Sequence, residues 1–500
     1  MVERVATPVS TFSDGRLVTS RAPAHPGNGE VDPADRAGHI ILAVAVVAFV
    51  AIASPLIWRG APLADDFNNC VAPTELGLAG FMAASWQQLG AIRPARMLEI
   101  LLTASVCGSL PFGMAILVPL LLTLSIALLV CGTLRDLGIP RAWANVGGAL
   151  WLLQPLGTEA GLWPAALHVN LGLALALAAV RLYRRGRYGW AALANLGAAL
   201  SVEQAILPLI LAAWQVAPHG KRGRAAVASI AVAAVVFVSV LLWPGANPRL
   251  RVGVLERIAE LTADPFFYVG FPVVGLGLHS IPLAIWWALP WSVPLLAAGA
   301  VAGWWLGPDL TSASRPIGRR QLFTGFFAVI AIILLANVVV VLAVPQQGSP
   351  RVFAPTWLVL AIAACAGGAS VQWRRPRLLG TIGGLFAAGA VLSLMFSVSV
   401  RLRSADFTAR ASGVVAARVP EGGTVALCHV RRTVVEPAPR GSFAVHEFIY
   451  EWAAERALRY YTGHHATFYL SGELWDRPCP PVRDVDAVID FDELLTGTRP

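Results

Sequence analysis

Asp65 and Asp66 are adjacent carboxylates in a chain that is 56% hydrophobic and only 13% charged. They lie just past the first hydrophobic span, in Arg59-Gly60-Ala61-Pro62-Leu63-Ala64-Asp65-Asp66-Phe67. Keeping two acids ionised at the mouth of an apolar bundle is costly, so their position invites a chemical role. A carboxylate there can act as general base toward a hydroxyl. Asp65 is the expected base. Asp66 is expected to orient the incoming group or to hold a divalent cation. The plainer alternative is a solvated pair that caps a surface helix.

Other polar residues fall on the same predicted side of the apolar spans. Glu203 stands between two apolar runs and is either a site acid or a helix-end residue paired to an arginine. Arg351 lies in a loop on the face where arginine is disfavoured, which points to phosphate binding or to lipid-headgroup anchoring. Arg93 and Arg96 flank a predicted surface helix, and Arg96 has Glu99 at helical pairing distance. Glu159, Trp163 and His168 surround Pro164. The acid and the imidazole can bind hydroxyls, with Trp163 as a stacking platform. For His168 alone, a satisfied bundle histidine is the simpler reading.

The elements that must position these residues are helices. Runs of about 20 apolar residues recur between short loops rich in Arg, Pro and Gly, the pattern of a polytopic α-helical membrane protein. The clearest spans are 39–58, 113–134, 141–157, 164–182, 188–202, 203–217, 225–243, 283–307, 321–343, 353–372 and 378–400. Basic clusters mark cytoplasmic loops. They are Arg135 with Arg141, Arg181 to Arg187, Lys221 to Arg224, Arg315 to Arg320, and Arg374 to Arg377. All fall inside if the chain starts inside and crosses 11 times, with an extracytoplasmic C terminus. Pro94–Leu110 and Phe266–Ser280 then lie along the outer surface or re-enter. Counting both as spans would put Arg181 to Arg187 outside.

Residues 1–38 read as a disordered cytoplasmic tail with no cleavable signal, and 39–400 as the transmembrane domain. Within it, two outer-surface helices are expected over 74–110, one after Pro73-Thr74-Glu75 and one from Arg93-Pro94. Residues 401–500 change character. Strands at 423–428 and 486–491 and an amphipathic helix over 446–461 predict a small soluble extracytoplasmic α/β domain.

The formal net charge is +9, yet the last hundred residues carry 12 basic and 13 acidic groups. The excess therefore belongs to the preceding loops and tail, and no nucleic-acid partner is expected. Of six cysteines, Cys70, Cys107, Cys131 and Cys365 read as small hydrophobes. Cys428 and Cys479 can bridge if their segment faces an oxidising side. No Cys/His spacing predicts a metal site, and His464-His465 reads as surface. A single lysine, with arginine and alanine in its place, suggests a GC-rich bacterial genome.

The combination resembles the GT-C superfamily of integral-membrane glycosyltransferases. The likeness rests on Ala64-Asp65-Asp66-Phe67, Ile92-Arg93-Pro94, the span beginning Pro111-Phe112-Gly113, Ser201-Val202-Glu203-Gln204 before Pro208, and the loop Gln346 to Pro355 around Arg351. It covers the architecture of 39–400. Many members carry Asp-Glu where this chain has Asp-Asp, a variant found in actinobacterial arabinosyl and mannosyl transferase branches, so the sugar stays open. The resemblance implies a polyprenyl-phosphate-linked sugar donor, a glycan, lipid or protein acceptor in the cell envelope, and catalysis on the outer face of a bacterial plasma membrane. It implies no certain cofactor.

Two other classes compete. A lipid or solute transporter often shows paired halves with helices broken at mid-membrane, and no internal repeat is visible here. A non-catalytic envelope-assembly scaffold keeps the spans and loses the pocket.

Overall fold

The computed structural model describes residues 32–62, 65–86, 95–107, 109–154, 161–201, parts of 221–235, 276–318, parts of 320–327, 354–430, 434–436, 442–444, 451–472, 477–491 and 493–494. The chain is a helical membrane protein. Among the described residues five helices are long and apolar enough to cross a bilayer.

The described helices, in chain order, are α1 Pro33–Arg59, α2 Asp65–Ser85, α3 Ala95–Cys107, α4 Gly113–Asp136, α5 Arg141–Leu152, α6 Leu167–Arg184, α7 Tyr188–Ser201, α8 Leu276–Trp287, α9 Leu289–Ser312, α10 Ala354–Ser370 and α11 Pro376–Arg418. A 3₁₀ turn, Pro164–Ala166, precedes α6. Helix α1 begins at Pro33 rather than at the expected 39. Proline suits a first helical position, and Asp35 lies in the first turn, where the helix dipole favours an anion.

Contacts sort the helix ends into two groups. At one end Gly38 abuts Ala142, Arg181 pairs with Asp136 at 2.6 Å, and Trp143 donates to Ser314 at 3.2 Å. Gly307 meets Pro376 there as well. Arg135, Arg141, Arg181, Arg315 and Arg374 to Arg377 thus share this end. At the opposite end Gly113 meets Ile57, and Arg59 pairs with Asp406 at 3.3 Å. Exposed tryptophans stand near the ends of lipid-length helices: Trp58 on α1 and Trp291 and Trp305 on α9. This is the placement of an interfacial aromatic belt.

Helices α9 and α11 pack through glycine. A Cβ at Gly299 or Gly303 would collide with the carbonyls of Gly384 or Gly380. Lipid supplies no hydrophobic drive between helices, so close backbone approach supplies van der Waals contact instead.

Several boundaries differ from the sequence expectation. The expected span 283–307 is broken at Ala288 between α8 and α9, where Pro290 at the second position of α9 removes a backbone donor. Helix α5 stops at Leu152, not 157. Its 12 residues reach only about 18 Å, short of a bilayer core. Spans 203–217 and 321–343 lie outside the described residues, wholly or for the most part, and 225–243 only partly within them.

Helix α11 is 43 residues long and runs through the expected boundary at 400 without a break. Its second half covers a three-stranded parallel sheet of order β4-β1-β5, formed by β1 Gly423–Val430, β4 Ala466–Gly472 and β5 Ala487–Asp490. Gly423 pairs with Ala466 and Val425 with Ala487. A hairpin of β2 Val434–Glu436 and β3 Ser442–Ala444 follows β1. Helix α12, Glu451–Thr462, precedes β4. Phe407, Ala411 and Val415 of α11 share one core with Leu427, Leu458, Phe468 and Ile489. The strands and helix expected from sequence are all present, with α12 described from Glu451.

Candidate functional site

The acid pair is not in a loop. Asp65 and Asp66 open α2, which starts nine residues before the expected helix and kinks at Gly77. Anionic side chains in a first turn complement the helix dipole, so the capping alternative describes their local setting. The tertiary setting goes further.

The two acids have different surroundings. Asp65 is 29% exposed and accepts from Arg96 Nη2 at 3.0 Å. Asp66 is fully buried and accepts from the Trp163 indole at 2.8 Å. Arg96 also faces Glu99 at 3.5 Å, so it bridges two carboxylates. Glu99 is completely buried and lies 2.6 Å from His168 Nδ1. Asp65, Arg96, Glu99 and His168 therefore form one continuous polar chain across α2, α3 and α6.

Arg401 joins this end of the bundle from α11. It is 4% exposed and donates to the Leu162 carbonyl at 3.2 Å, one residue before Trp163. A buried arginine in a membrane bundle marks a functional region by default. In the sequence it falls at the expected domain boundary at 400, where a basic residue reads as part of a soluble segment. Its signal in the sequence is the same as that of Arg351, a cation on the face where arginine is disfavoured.

Two further features were not anticipated. Cys70 and Cys107 are not small hydrophobes but a disulfide, joining α2 to α3 with a Cα separation of 5.3 Å. It clamps the helix carrying Asp65 to the helix carrying Arg96. Fold brings together cysteines 37 residues apart, which spacing alone does not reveal. Cys428 and Cys479 are also bridged, while Cys131 and Cys365 are free and buried. Both bridges belong to elements at the Asp65 end, and Cys131 sits one turn from Arg135 on α4.

Glu75 is the second feature. It receives Arg456 at 2.6 Å and Arg459 of α12, with His465 at 3.9 Å. Burial alone would raise its carboxyl. The hydrogen bond and charge of Arg456, then the charges of Arg459 and His465, outweigh burial and hold it below the ordinary range. Phe67, next to Asp66, packs edge-on against Tyr460 and Tyr461, and burial pushes the Tyr460 phenol up. Helix α12 is thus docked on the helix that carries the acids. His464 pairs with Glu421 at 3.0 Å.

Trp163 and His168 join the cluster, each through a carboxylate. Arg93, Glu159, Glu203 and Arg351 lie outside the described residues. Among the described residues no group of three or more His, Cys, Asp or Glu could hold a metal ion. The donor set around Asp65 and Asp66 fits a divalent cation poorly, because a guanidinium faces one carboxylate and an indole N–H the other.

Comparison with family models, curated proteins and solved structures finds no match to this chain.

Proposed function

We propose that this protein is a GT-C-type glycosyltransferase that moves a sugar from a polyprenyl-phosphate donor to a cell-envelope glycan, glycolipid or protein. The reaction takes place at the outer face of a bacterial plasma membrane. The observation that carries the reading is the partly exposed Asp65 held by Arg96 at the bundle end opposite the arginine-rich loops. The reaction needs a base that an acceptor can reach, a cation for a leaving phosphate, and access from lipid.

Asp65 meets the first need better than Asp66, which is fully buried. The acceptor O–H gives its proton to the Asp65 carboxylate as its oxygen bonds the anomeric carbon. The bond from that carbon to the phosphate oxygen breaks, and the polyprenyl phosphate leaves with its electron pair. Arg96 orients Asp65. Arg401 offers a guanidinium that can stabilise phosphate charge as it develops, a role shared with Arg351 in this reading. Trp163 and His168 shape the wall, Trp163 through Asp66 and His168 through Glu99. Glu159, Glu203 and Arg93 remain candidate substrate contacts. No step needs a metal or an organic cofactor.

The orientation has two independent supports. Arginine clusters gather at one end, as cytoplasmic loops do. The two disulfides belong to the other, as an oxidising compartment requires. In this reading the N terminus is inside and the C-terminal α/β segment is extracytoplasmic.

The decisive experiment is transfer from radiolabelled polyprenyl-phosphate mannose or arabinose by purified protein in nanodiscs, with an envelope glycan extract as acceptor. Acceptor labelling that depends on Asp65 is expected. Absence of labelling from either donor, with the lipids left unbound, would point instead to a transporter or a scaffold.

A further inference from the structure

Between α5 and α6 the described residues, 153–154 and 161–166, break the α-helix, include the 3₁₀ turn and are buried. Leu153, Gln154, Leu162, Trp163, Ala165 and Ala166 are each 8% exposed or less. This stretch meets α4 at Thr123, whose hydroxyl donates to the Gly161 carbonyl at 2.8 Å. Thr123 lies ten residues into α4, about 15 Å from its start by helical rise. Irregular backbone at membrane depth is tolerated only inside protein or along a polar cavity.

The side chains here are polar and neutral. Gln154 is 2% exposed, and neither its carbonyl oxygen nor its nitrogen has a hydrogen-bond partner. Asn170 is fully buried. Its nitrogen reaches Thr123 Oγ1 at 3.5 Å, while its oxygen has no partner. Gly161 lies against both Gln154 and Thr123: a Cβ there would stand 3.3 Å from Gln154 Nε2 and 3.6 Å from Thr123 Oγ1. Leaving a buried amide unsatisfied is costly, so these atoms call for an occupant.

We infer that Gln154, Asn170, Thr123 and Gly161 form a buried subsite for the hydroxyls of a neutral sugar. Hydroxyls both donate and accept, which matches an orphan carbonyl oxygen and an orphan N–H₂ on one residue. Neutral amides and a threonine hydroxyl offer no counter-charge, so a carboxylated sugar is not the match. The position suits the donor. The subsite is continuous with Leu162 and Trp163, and these carry the contacts to Arg401 and Asp66. The phosphate would lie toward Arg401 and the sugar ring toward Gln154. This inference rests on the glycosyltransferase reading and specifies the sugar end of its donor.

The test compares two lipids on purified protein in nanodiscs: polyprenyl phosphate, and the same lipid carrying mannose. The wild-type protein should bind the mannosyl lipid more tightly. Gln154→Leu and Asn170→Leu should each lose about tenfold of affinity for it, the scale of one or two neutral hydrogen bonds, with sugar-free lipid bound as before. The near-isosteric Gln154→Met guards against misfolding, monitored by thermal melting. Equal sugar preference in wild type and all three variants would mean that the amides hold water only, and would overturn the subsite while leaving the transferase reading intact. Failure of the wild-type protein to bind either lipid would overturn both.

Discussion

Arg96 Nη2 stands 3.0 Å from Asp65 Oδ2 although 31 residues separate them in the chain. The contact joins the second residue of α3 to the first residue of α2. Helix α2 is kinked at Gly77 and α3 has 13 residues, and neither is among the helices long and apolar enough to cross a bilayer. Their relative position is fixed by the Cys70–Cys107 bridge and by the buried contacts of Phe81, Ala72 and Ile100.

Replacing Asp65 by Asn keeps its size and much of its hydrogen bonding while removing its basicity. Turnover should fall by ~10²–10⁴-fold with insertion and melting unchanged. Asp66→Asn should keep the Trp163 contact and cost less. Equal losses at the two positions, relieved by added divalent cation, would reassign the pair to metal binding. Near-normal transfer by Asp65→Asn would move the base to Glu203 or Glu159.

Arg401→Ala removes a buried guanidinium, a change that usually destabilises by more than the interaction is worth. Arg401→Gln is therefore the informative variant. It retains a donor for the Leu162 carbonyl but no charge. Affinity for polyprenyl phosphate should drop by roughly 1.5–3 kcal/mol, the scale of a charged hydrogen bond. Arg351→Ala should weaken donor binding on the same scale, and unchanged affinity in a folded variant removes either residue from the phosphate site.

Breaking the α2–α3 clamp should loosen the acid site before it unfolds the bundle. The bridge closes a loop between cysteines 37 residues apart, for which chain entropy gives about 2–4 kcal/mol. Cys70→Ser and Cys107→Ser should lower melting temperature equally, and the double variant should add nothing further. Thiol labelling of native membranes should modify Cys131 and Cys365 only after solubilisation and unfolding, and Cys70 and Cys107 only after reduction.

The junction of α2 and α12 should depend on pH. Glu75 has its folded pKa depressed below the ordinary 4.5, so it binds a proton less readily in the folded state. Its stabilising share is complete above the unfolded value and is lost as pH falls through the depressed one. Hydrogen exchange in Glu451–Thr462 should therefore be flat at neutral pH and rise on acidification below about 4.5. Glu75→Gln should raise exchange at neutral pH and flatten the acid limb. A variant that exchanges like wild type at every pH would show that the aromatic contacts alone hold α12.

Membrane orientation is open to a direct probe. A single reporter cysteine at Ser442 should react with an impermeant maleimide in intact cells. Reaction only after the cytoplasm is opened would reverse the assignment of the acid site to the outer face.

The sequence alone determines what local physics determines. Long apolar runs make lipid-length helices because every backbone polar group must be satisfied within the segment. Arginine placement separates the two ends, and short continuous apolar runs near 425 and 488 make buried strands. These signals also singled out Asp65, Asp66, Arg96, Trp163 and His168. Tertiary structure decides the pairings. Glu99 reads as an intrahelical partner of Arg96 until α6 brings His168 against it. Cys70 and Cys107 read as small hydrophobes until two surface helices lie together. Arg401 seems to belong to a soluble segment until α11 proves continuous across that boundary. Helix α5 looks like the start of a full span, yet its chain leaves the helix at Leu153, and the freed Leu162 carbonyl is met by an arginine 239 residues away. In each case the deciding partner is distant in sequence, and no local pattern encodes a contact whose other half is supplied only by the packed bundle.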